Sequence, residues 1–331
     1  MPPASPVRTP AQRTPSPFAL STAAPLDKRK FRDPRFTADG KPRASVALRG
    51  LETLWVNTGT LCNLSCTNCY IESSPFNDRL AWFKPEELEG YLDEAAAQDL
   101  HTIGFTGGEP FMNPDIIALL DTALARGHDV LVLTNAMRPM QRHKAALAGL
   151  QAHYGKALSL RVSLDHFTAA LHDEERGNGA WPRAMAGLGW LLGNGFNVSI
   201  AGRMPPGQSE VAIRRGFQTL FDSMELGIDA QDHARLTLFA EMDESADVPE
   251  ISEDCWSILG KQPDQMMCAS SRMVVRRKGA DAPSVIACTL LPDAPEFDLG
   301  PTLADAGKSV VLNHPHCARF CVLGGSSCSG S

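Results

Sequence analysis

The chain of 331 residues places three cysteines close together in its first third, at Cys62, Cys66 and Cys69, with the spacing C-x3-C-x2-C. Thiolates are soft ligands that select zinc and iron–sulfur clusters. A structural zinc ion takes four ligands, and no fourth cysteine or histidine lies in this loop. Three thiolates instead suit three irons of a [4Fe–4S] cluster, which leaves the fourth iron open to a substrate or cofactor. The alternatives are a zinc knuckle, half of a disulfide framework and buried apolar thiols.

The number of cysteines and the lack of long apolar segments favour the cytoplasm. The first residues lack the apolar core of a signal peptide, and no apolar run approaches the ~20 residues that span a membrane. Disulfides are rare in reducing compartments, so nine cysteines in such a chain indicate metal or redox chemistry. We therefore expect a cytoplasmic protein with no membrane association.

Charge and proline are distributed unevenly along the chain. Residues 1–45 hold nine of the 24 prolines and nine Lys or Arg against three Asp, whereas the whole chain has a net charge of −7. Such a basic, proline-rich stretch predicts a disordered tail. The acidic remainder argues against nucleic-acid binding. We expect three parts: a disordered Pro/Arg-rich tail at 1–45, a barrel at 46–250 and a small cysteine-rich extension at 251–331.

Between residues 48 and 242, short β-like runs alternate with amphipathic helices. Continuous apolar strands separated by helices predict an α/β fold with a parallel sheet covered by helices. In such folds the chemistry lies at the carboxyl ends of the strands, and the cysteine loop follows the first of them. The six predicted strands lie at 53–57, 102–105, 130–133, 158–164, 196–202 and 235–241.

A glycine-rich turn, Gly107-Gly108-Glu109-Pro110, follows the second predicted strand. Glycine lets a backbone approach a ligand closely, although an ordinary strand-to-helix turn is the alternative. The cysteine loop and this turn together resemble the radical S-adenosylmethionine (radical SAM) superfamily. The resemblance implies a partial (β/α)6 barrel of the TIM type over about 48–242. It also implies a [4Fe–4S] cluster whose open iron is chelated by the amino and carboxylate groups of SAM.

The resemblance further implies which residues contact SAM. The glycine turn is expected to meet its amino group, and the end of the fourth strand its ribose and carboxylate. Hydroxyl and acidic residues are also common at strand ends because they stabilise turns, and this is the alternative for Ser163 and Asp165. For Arg203 the alternative is a position on the surface. Relatives often have an aromatic residue or His before the third cysteine, but here Asn68 precedes it and Tyr70 follows. The expected cofactor-binding residues are Gly107, Gly108, Glu109, Tyr70, Thr134, Asn135, Ser163, Asp165 and Arg203.

Six further cysteines follow residue 253. Two of them, Cys268 and Cys288, flank a predicted β-hairpin that resembles the start of the SPASM/twitch extension of radical SAM enzymes. That resemblance implies a second [4Fe–4S] cluster. Its fourth ligand is expected to be Cys321, with Cys328 as the alternative. The expected ligands of this cluster are Cys268, Cys288, Cys317 and Cys321.

Other uses of the late cysteines are open. A zinc ion on the same thiolates, together with His314 or His316, is one alternative. A soft substrate bound by the last three cysteines of the chain is another. Cys255 is expected to be a buried apolar residue.

The resemblance implies reductive cleavage of SAM to a 5′-deoxyadenosyl radical, which abstracts hydrogen from a small molecule or peptide. The auxiliary cluster is expected to assist net oxidation or another modification. An outside reductant such as flavodoxin or ferredoxin is expected to supply the electron. Two alternatives stay open: transfer of another SAM-derived group, and a non-catalytic iron–sulfur electron carrier or sensor.

Overall fold

A sheet of nine strands runs through the centre of the computed structural model, which describes residues 24–67, 69–240 and 243–324. Outside this sheet, β1 (Ser45–Val46) pairs with a strand near the other end of the described chain. Six neighbouring strands, β2 to β7, are parallel, at Thr53–Asn57, Thr102–Thr106, Asp129–Thr134, Leu158–Ser163, Asn197–Arg203 and Leu236–Phe239. Beyond β2 the sheet continues through β8 (Ser271–Val275), β9 (Ser284–Ile286) and β10 (Asp298–Gly300), and the partner of β1 is β11 (Val310–Val311).

The six parallel strands confirm the six strands predicted from apolar runs. Every residue of β2 is buried, and Trp55 and Val56 within it have no exposed surface. Such strands are stable only when both faces of the sheet are covered, in a barrel by helices outside and by side chains within, because a solvated face would expose apolar side chains. The predicted α/β class with a parallel sheet is therefore confirmed.

Helices connect the parallel strands. The first, α1, begins with a proline, which costs no hydrogen bond there because the first N–H groups of a helix have no partner within it. It buries Leu88, Tyr91 and Leu92 on one face. Among the described residues, no helix has the length and apolar character needed to cross a bilayer. The eight helices of the described chain, α1 to α8, are Pro85–Glu94, Ile116–Ala125, Arg138–Gln141, Lys144–Tyr154, Ala169–Arg176, Ala180–Gly193, Glu210–Ser223 and Cys255–Leu259.

The hairpin predicted between Cys268 and Cys288 is formed by β8 and β9, which pair antiparallel with Met273 opposite Ile286. β8 also lies parallel to β2, with Met273 beside Trp55. The cysteine-rich segment therefore extends the central sheet. The boundary at residue 250 between barrel and extension stays a prediction.

The second half of the predicted tail departs from the expectation of disorder. Residues 24–45 are bonded to the segment at 245–250 by main-chain hydrogen bonds and ion pairs. The Arg43 guanidinium contacts the Glu250 carboxylate at 2.5 Å, and both side chains are almost fully buried. Glu250 also accepts hydrogen bonds from the N–H groups of Phe31 and Ala38. Composition predicted disorder because it does not reveal these long-range partners; residues 1–23 lie outside the described residues.

Removing the Glu250 carboxylate tests this attachment. Glu250→Ala leaves a buried, unpaired guanidinium, so the free energy of unfolding should fall by about 3–5 kcal/mol. Asp254→Ala is the matched control, because it removes the acid of an exposed pair with Lys41 at 3.5 Å and should change stability little. Urea unfolding of both variants measures the difference. Equal effects of the two substitutions would contradict the structural role given to Arg43.

Candidate functional site

The carboxyl ends of β2 to β6 open into one cleft, with about 1100 Å³ of empty space including its open mouth. The loop after β2 carries the first three cysteines to one side of the cleft, and the ends of β3, β4, β5 and β6 form the rest. The structure brings together all twelve residues expected around the first cluster and SAM: Cys62, Cys66, Cys69, Tyr70, Gly107, Gly108, Glu109, Thr134, Asn135, Ser163, Asp165 and Arg203. Asn68 lies outside the described residues.

The glycine turn is packed against the start of the cysteine loop. Gly107 has a φ of +145°, which side chains rarely adopt. A Cβ on Gly108 would lie 2.3 Å from the Leu61 carbonyl oxygen. The N–H of Gly108 donates to the Gly59 carbonyl at 2.8 Å, and the N–H of Glu109 donates to the Leu61 carbonyl at 3.1 Å. These glycines therefore allow two backbones to approach each other, a reason the sequence alone does not reveal.

Glu109 is a buried carboxylate that joins two strand ends. It accepts hydrogen bonds at 2.8 Å from the Thr134 hydroxyl and from the Asn135 N–H. Burial raises the pKa of Glu109 to about 7, against the opposing effect of these hydrogen bonds. The carboxyl group is therefore poised to change its charge near neutral pH.

Thr134 and Asn135 also organise the backbone around the cleft. The Asn135 side chain donates to the Asn63 side-chain oxygen at 2.9 Å and so reaches into the cysteine loop. The Thr134 hydroxyl accepts from the Ala136 N–H at 3.0 Å. Both side chains thus connect the end of β4 to neighbouring segments while lining the cleft.

A buried ion cluster also lines the cleft. Asp165 accepts from Arg176 at 2.5 and 3.1 Å and lies 3.5 Å from Arg203. Burial opposes ionisation of Asp165, but the two guanidinium groups outweigh it and lower its pKa. Arg203 is therefore an interior residue, and its alternative assignment to the surface is wrong. The cleft offers fixed charges of both signs.

Sequence reasoning missed several residues of the cleft. Arg161 on β5 and the pair Glu175 and Arg176 on α5 line it, although none follows a predicted strand directly. One signal was available, the length of the connection between β5 and β6. Residues 164–196 are more than a single connecting helix needs, so a second helix could have been expected there. The extra helix, α5, carries Arg176 to the strand ends.

The first three cysteines suit a metal cluster better than a nucleophile. Burial raises the pKa of Cys62 and raises that of Cys66 to about 12, so neither thiol is a ready thiolate in the absence of metal. Main-chain N–H groups point at two sulfurs, from Leu64 to Cys62 at 3.4 Å and from Ser73 to Cys69 at 3.3 Å. Such bonds stabilise sulfur charge once a metal has displaced the protons.

A second, smaller cavity holds the late cysteines. Cys268, Cys288, Cys317 and Cys321 all line it, as does His316, and burial raises the pKa of Cys268 to about 11. Cys328 lies outside the described residues. Cys255 is half-buried near Ser252 and does not line this cavity, so it is less buried than expected. Leu290 borders both cavities.

Comparison with known proteins identifies the domain that carries the cleft. A profile of the radical SAM superfamily matches residues 56–215. Residues 56–215 form a radical SAM domain. The superfamily implies a [4Fe–4S] cluster and SAM as cofactors. The matched range contains the three-cysteine loop, the glycine turn and the ends of β2 to β6.

Curated relatives match the same part of the chain. The antilisterial bacteriocin subtilosin biosynthesis protein AlbA of Bacillus subtilis is 30% identical over 141 residues, which are 42% of this chain and 30% of that protein. Mycofactocin maturase MftC of Mycobacterium ulcerans is 30% identical over 135 residues, which are 41% of this chain and 35% of that protein. The chain thus spans about a third of the length of these relatives.

A solved structure has a similar fold over a larger part of the chain than the radical SAM domain alone. SuiB of Streptococcus suis bound to the precursor peptide SuiA aligns with a TM-score of 0.55 at 14% identity, over 77% of this chain and 63% of that one. At this identity the likeness concerns the fold alone. The expected barrel of the radical SAM kind is thereby confirmed as the fold class.

Gly108→Ala tests the close packing of the glycine turn. The added Cβ meets a main-chain carbonyl that is itself hydrogen-bonded, so the free energy of unfolding should fall by about 1–3 kcal/mol. Gly90→Ala is the control, since Gly90 is exposed on α1 with no atom within 4 Å of its added Cβ. That control should gain up to about 1 kcal/mol from helix propensity. Urea unfolding that ranks the two variants the other way would rule out the packing explanation.

Proposed function

We propose that Cys62, Cys66 and Cys69 hold a [4Fe–4S] cluster, that the cleft beside them binds SAM, and that the chain is an enzyme modifying a peptide or small molecule. The supporting observation is the convergence of three thiols, the glycine turn and charges of both signs on one cleft. When bound, the cluster and SAM supply a 5′-deoxyadenosyl radical by reductive cleavage, using an electron from an outside donor such as flavodoxin or ferredoxin.

The chain's own residues provide charge and shelter for these cofactors. SAM carries positive and negative groups, and the cleft presents the Glu109 carboxylate together with Arg161, Arg176 and Arg203. Asp165 keeps Arg176 and Arg203 in place, so the cleft does not need to reorganise when a carboxylate binds. We assign Glu109 to the amino group of SAM and these arginines to its carboxylate.

Apolar side chains close the cleft on the side of the cysteine-rich extension. Phe239 at the end of β7, Leu290 and Phe320 line it there. A radical that meets water or a stray side chain is lost to side reactions, so an apolar wall near the substrate protects the intermediate. We place the substrate between this wall and SAM.

The second cavity suits an auxiliary [4Fe–4S] cluster held by Cys268, Cys288, Cys317 and Cys321. Its supporting observation is that four thiols line one cavity. Because Leu290 borders both cavities, the auxiliary cluster would lie close to the substrate region. That position suits removal of an electron from a substrate radical, which gives net oxidation.

A peptide is the substrate class that we favour. One relative, AlbA, is named for bacteriocin biosynthesis and another, MftC, is named a maturase, while SuiB has been solved with a precursor peptide. The cleft has an open mouth bordered by residues of the extension, which a chain end or loop could enter. A small molecule is the other outcome of a substrate screen.

Iron content and SAM products test the proposal together. After anaerobic reconstitution the wild type should hold about eight irons, and Cys62/Cys66/Cys69→Ala should keep about four. The same variant should release no 5′-deoxyadenosine under strong reduction, because the open iron is lost. Cys255→Ala is the matched control and should keep both iron content and product. Iron analysis and chromatography of the products measure these outcomes.

Other results of this experiment identify the rivals. Loss of all iron in the triple variant would mean a single cluster and would remove the auxiliary cluster from the proposal. Methylthioadenosine in place of 5′-deoxyadenosine would establish transfer of another SAM-derived group. A wild type that binds iron but neither binds nor cleaves SAM would be an electron carrier or sensor.

The pH dependence of SAM binding tests the role of Glu109. Its pKa of about 7 means that the carboxyl group is mostly neutral at pH 6 and mostly ionised at pH 8. If ionised Glu109 accepts a hydrogen bond from the amino group of SAM, the affinity of wild type relative to Glu109→Gln should rise by up to about tenfold over this range. Equilibrium dialysis of SAM against reconstituted protein measures it. A ratio of affinities that does not change with pH would remove Glu109 from the binding site.

A further inference from the structure

Three side chains of types that bind metal ions form a group that includes none of the cysteines around the two cavities. Each residue contributes one ligand atom, and the three atoms of Glu244, His314 and His316 lie within 4.8 Å of one another. Two imidazoles and one carboxylate form the ligand set of many zinc sites that keep an open position for water. We propose that Glu244, His314 and His316 bind a divalent transition-metal ion, with Zn²⁺ as the representative ion.

The most buried of the three residues has an unused ligand atom. His316 is 5% exposed, and its Nδ1 is buried with no hydrogen-bond partner. A buried polar atom without a partner costs free energy, and a bound metal ion would supply one. This observation is independent of the clustering and itself points to a ligand.

The other two residues already contact each other. His314 Nε2 lies 3.5 Å from a Glu244 carboxylate oxygen, and His314 Nδ1 accepts from the His316 N–H at 3.1 Å. Because Nδ1 accepts, the His314 ring proton is on Nε2 and faces Glu244. Metal binding at Nε2 would move this proton to Nδ1, which would then no longer accept from the His316 N–H.

The loop that carries Glu244 is held in place by long-range contacts. Arg319 donates to the carbonyl oxygens of Asp243, Ala246 and Asp247 at 2.7 to 3.1 Å. On the other side, the N–H of Leu26 donates to the Ser245 carbonyl at 2.7 Å. A carboxylate on a pre-positioned loop binds an ion with less loss of conformational freedom.

The site would link the radical SAM barrel to the cysteine-rich extension. Glu244 follows β7, whereas His316 directly precedes the π-helical turn Cys317–Leu323, which carries two of the late cysteines. An ion bound by these three residues would therefore join the exit of the barrel to the wall of the second cavity. Glu244 is exposed, so water or a small anion can occupy the remaining position.

Zinc binding to protein whose thiols are already occupied tests the proposal. Reconstituted protein is dialysed against Zn²⁺ and analysed for metal content and by Zn K-edge X-ray absorption. We expect one zinc per chain with N/O ligands at about 2.0–2.2 Å and no sulfur shell at about 2.3 Å. In Glu244→Gln and His314→Ala the occupancy at the same free Zn²⁺ should fall at least tenfold. These two variants carry the test, because changing buried His316 could disturb the neighbouring cysteines.

His233→Ala is the matched control. His233 lies 3.8 Å from Glu210 in a similar His–Glu pair that has no second histidine, and its loss should leave zinc occupancy unchanged. Three results would each overturn the proposal: no zinc above the background of the dialysis buffer, a sulfur shell alone, or equal occupancy in the wild type and both site variants. A sulfur shell would also reveal unoccupied thiols, so failure of cluster assembly is distinguished from failure of this site.

Discussion

Two main-chain hydrogen bonds determine where the cysteine loop begins. They run from Gly108 to Gly59 and from Glu109 to Leu61, and they join the end of β3 to the chain leaving β2. Because a side chain on Gly108 would collide with the Leu61 carbonyl, this joint requires glycine there. The positions of the thiols, of the Glu109 carboxylate and of the cleft between them all follow from it. The glycine turn thus has a structural role even before any ligand is considered.

Buried charge is distributed in two different ways across the cleft. Glu109 has only neutral hydrogen-bond donors as its close partners, so burial raises its pKa and its charge depends on what binds. Asp165 lies against Arg176 and Arg203, so its charge is maintained despite complete burial. Glu109 can therefore adapt its charge to a ligand, whereas the Asp165 cluster keeps its charges. This difference suits a ligand that carries both positive and negative groups.

Local signals in the sequence predicted the parallel part of the sheet, and the resemblance to the radical SAM superfamily supplied the residues expected around the first site. Apolar runs identify β2 to β7, and the spacing of three cysteines and two glycines identifies the loops at their ends. Arg176 and Arg161 were missed because their positions depend on an extra helix and on strand registration, which no short motif records. The packing of residues 24–45 on Glu250, and the approach of Glu244 to His314 and His316, join positions far apart in the sequence. Such contacts follow from the path of the chain and not from composition.

Leu290 is the residue whose position has the widest consequence. Its side chain borders both cavities, and its N–H donates to the Cys288 sulfur at 3.4 Å. Leucine has no polar atom in its side chain, so the part of the boundary that it forms offers no hydrogen bond to water or to a polar ligand. Exchange of polar molecules between the two cavities would therefore be disfavoured at this point. A larger or smaller apolar residue at position 290 would change the shape of both cavities at once.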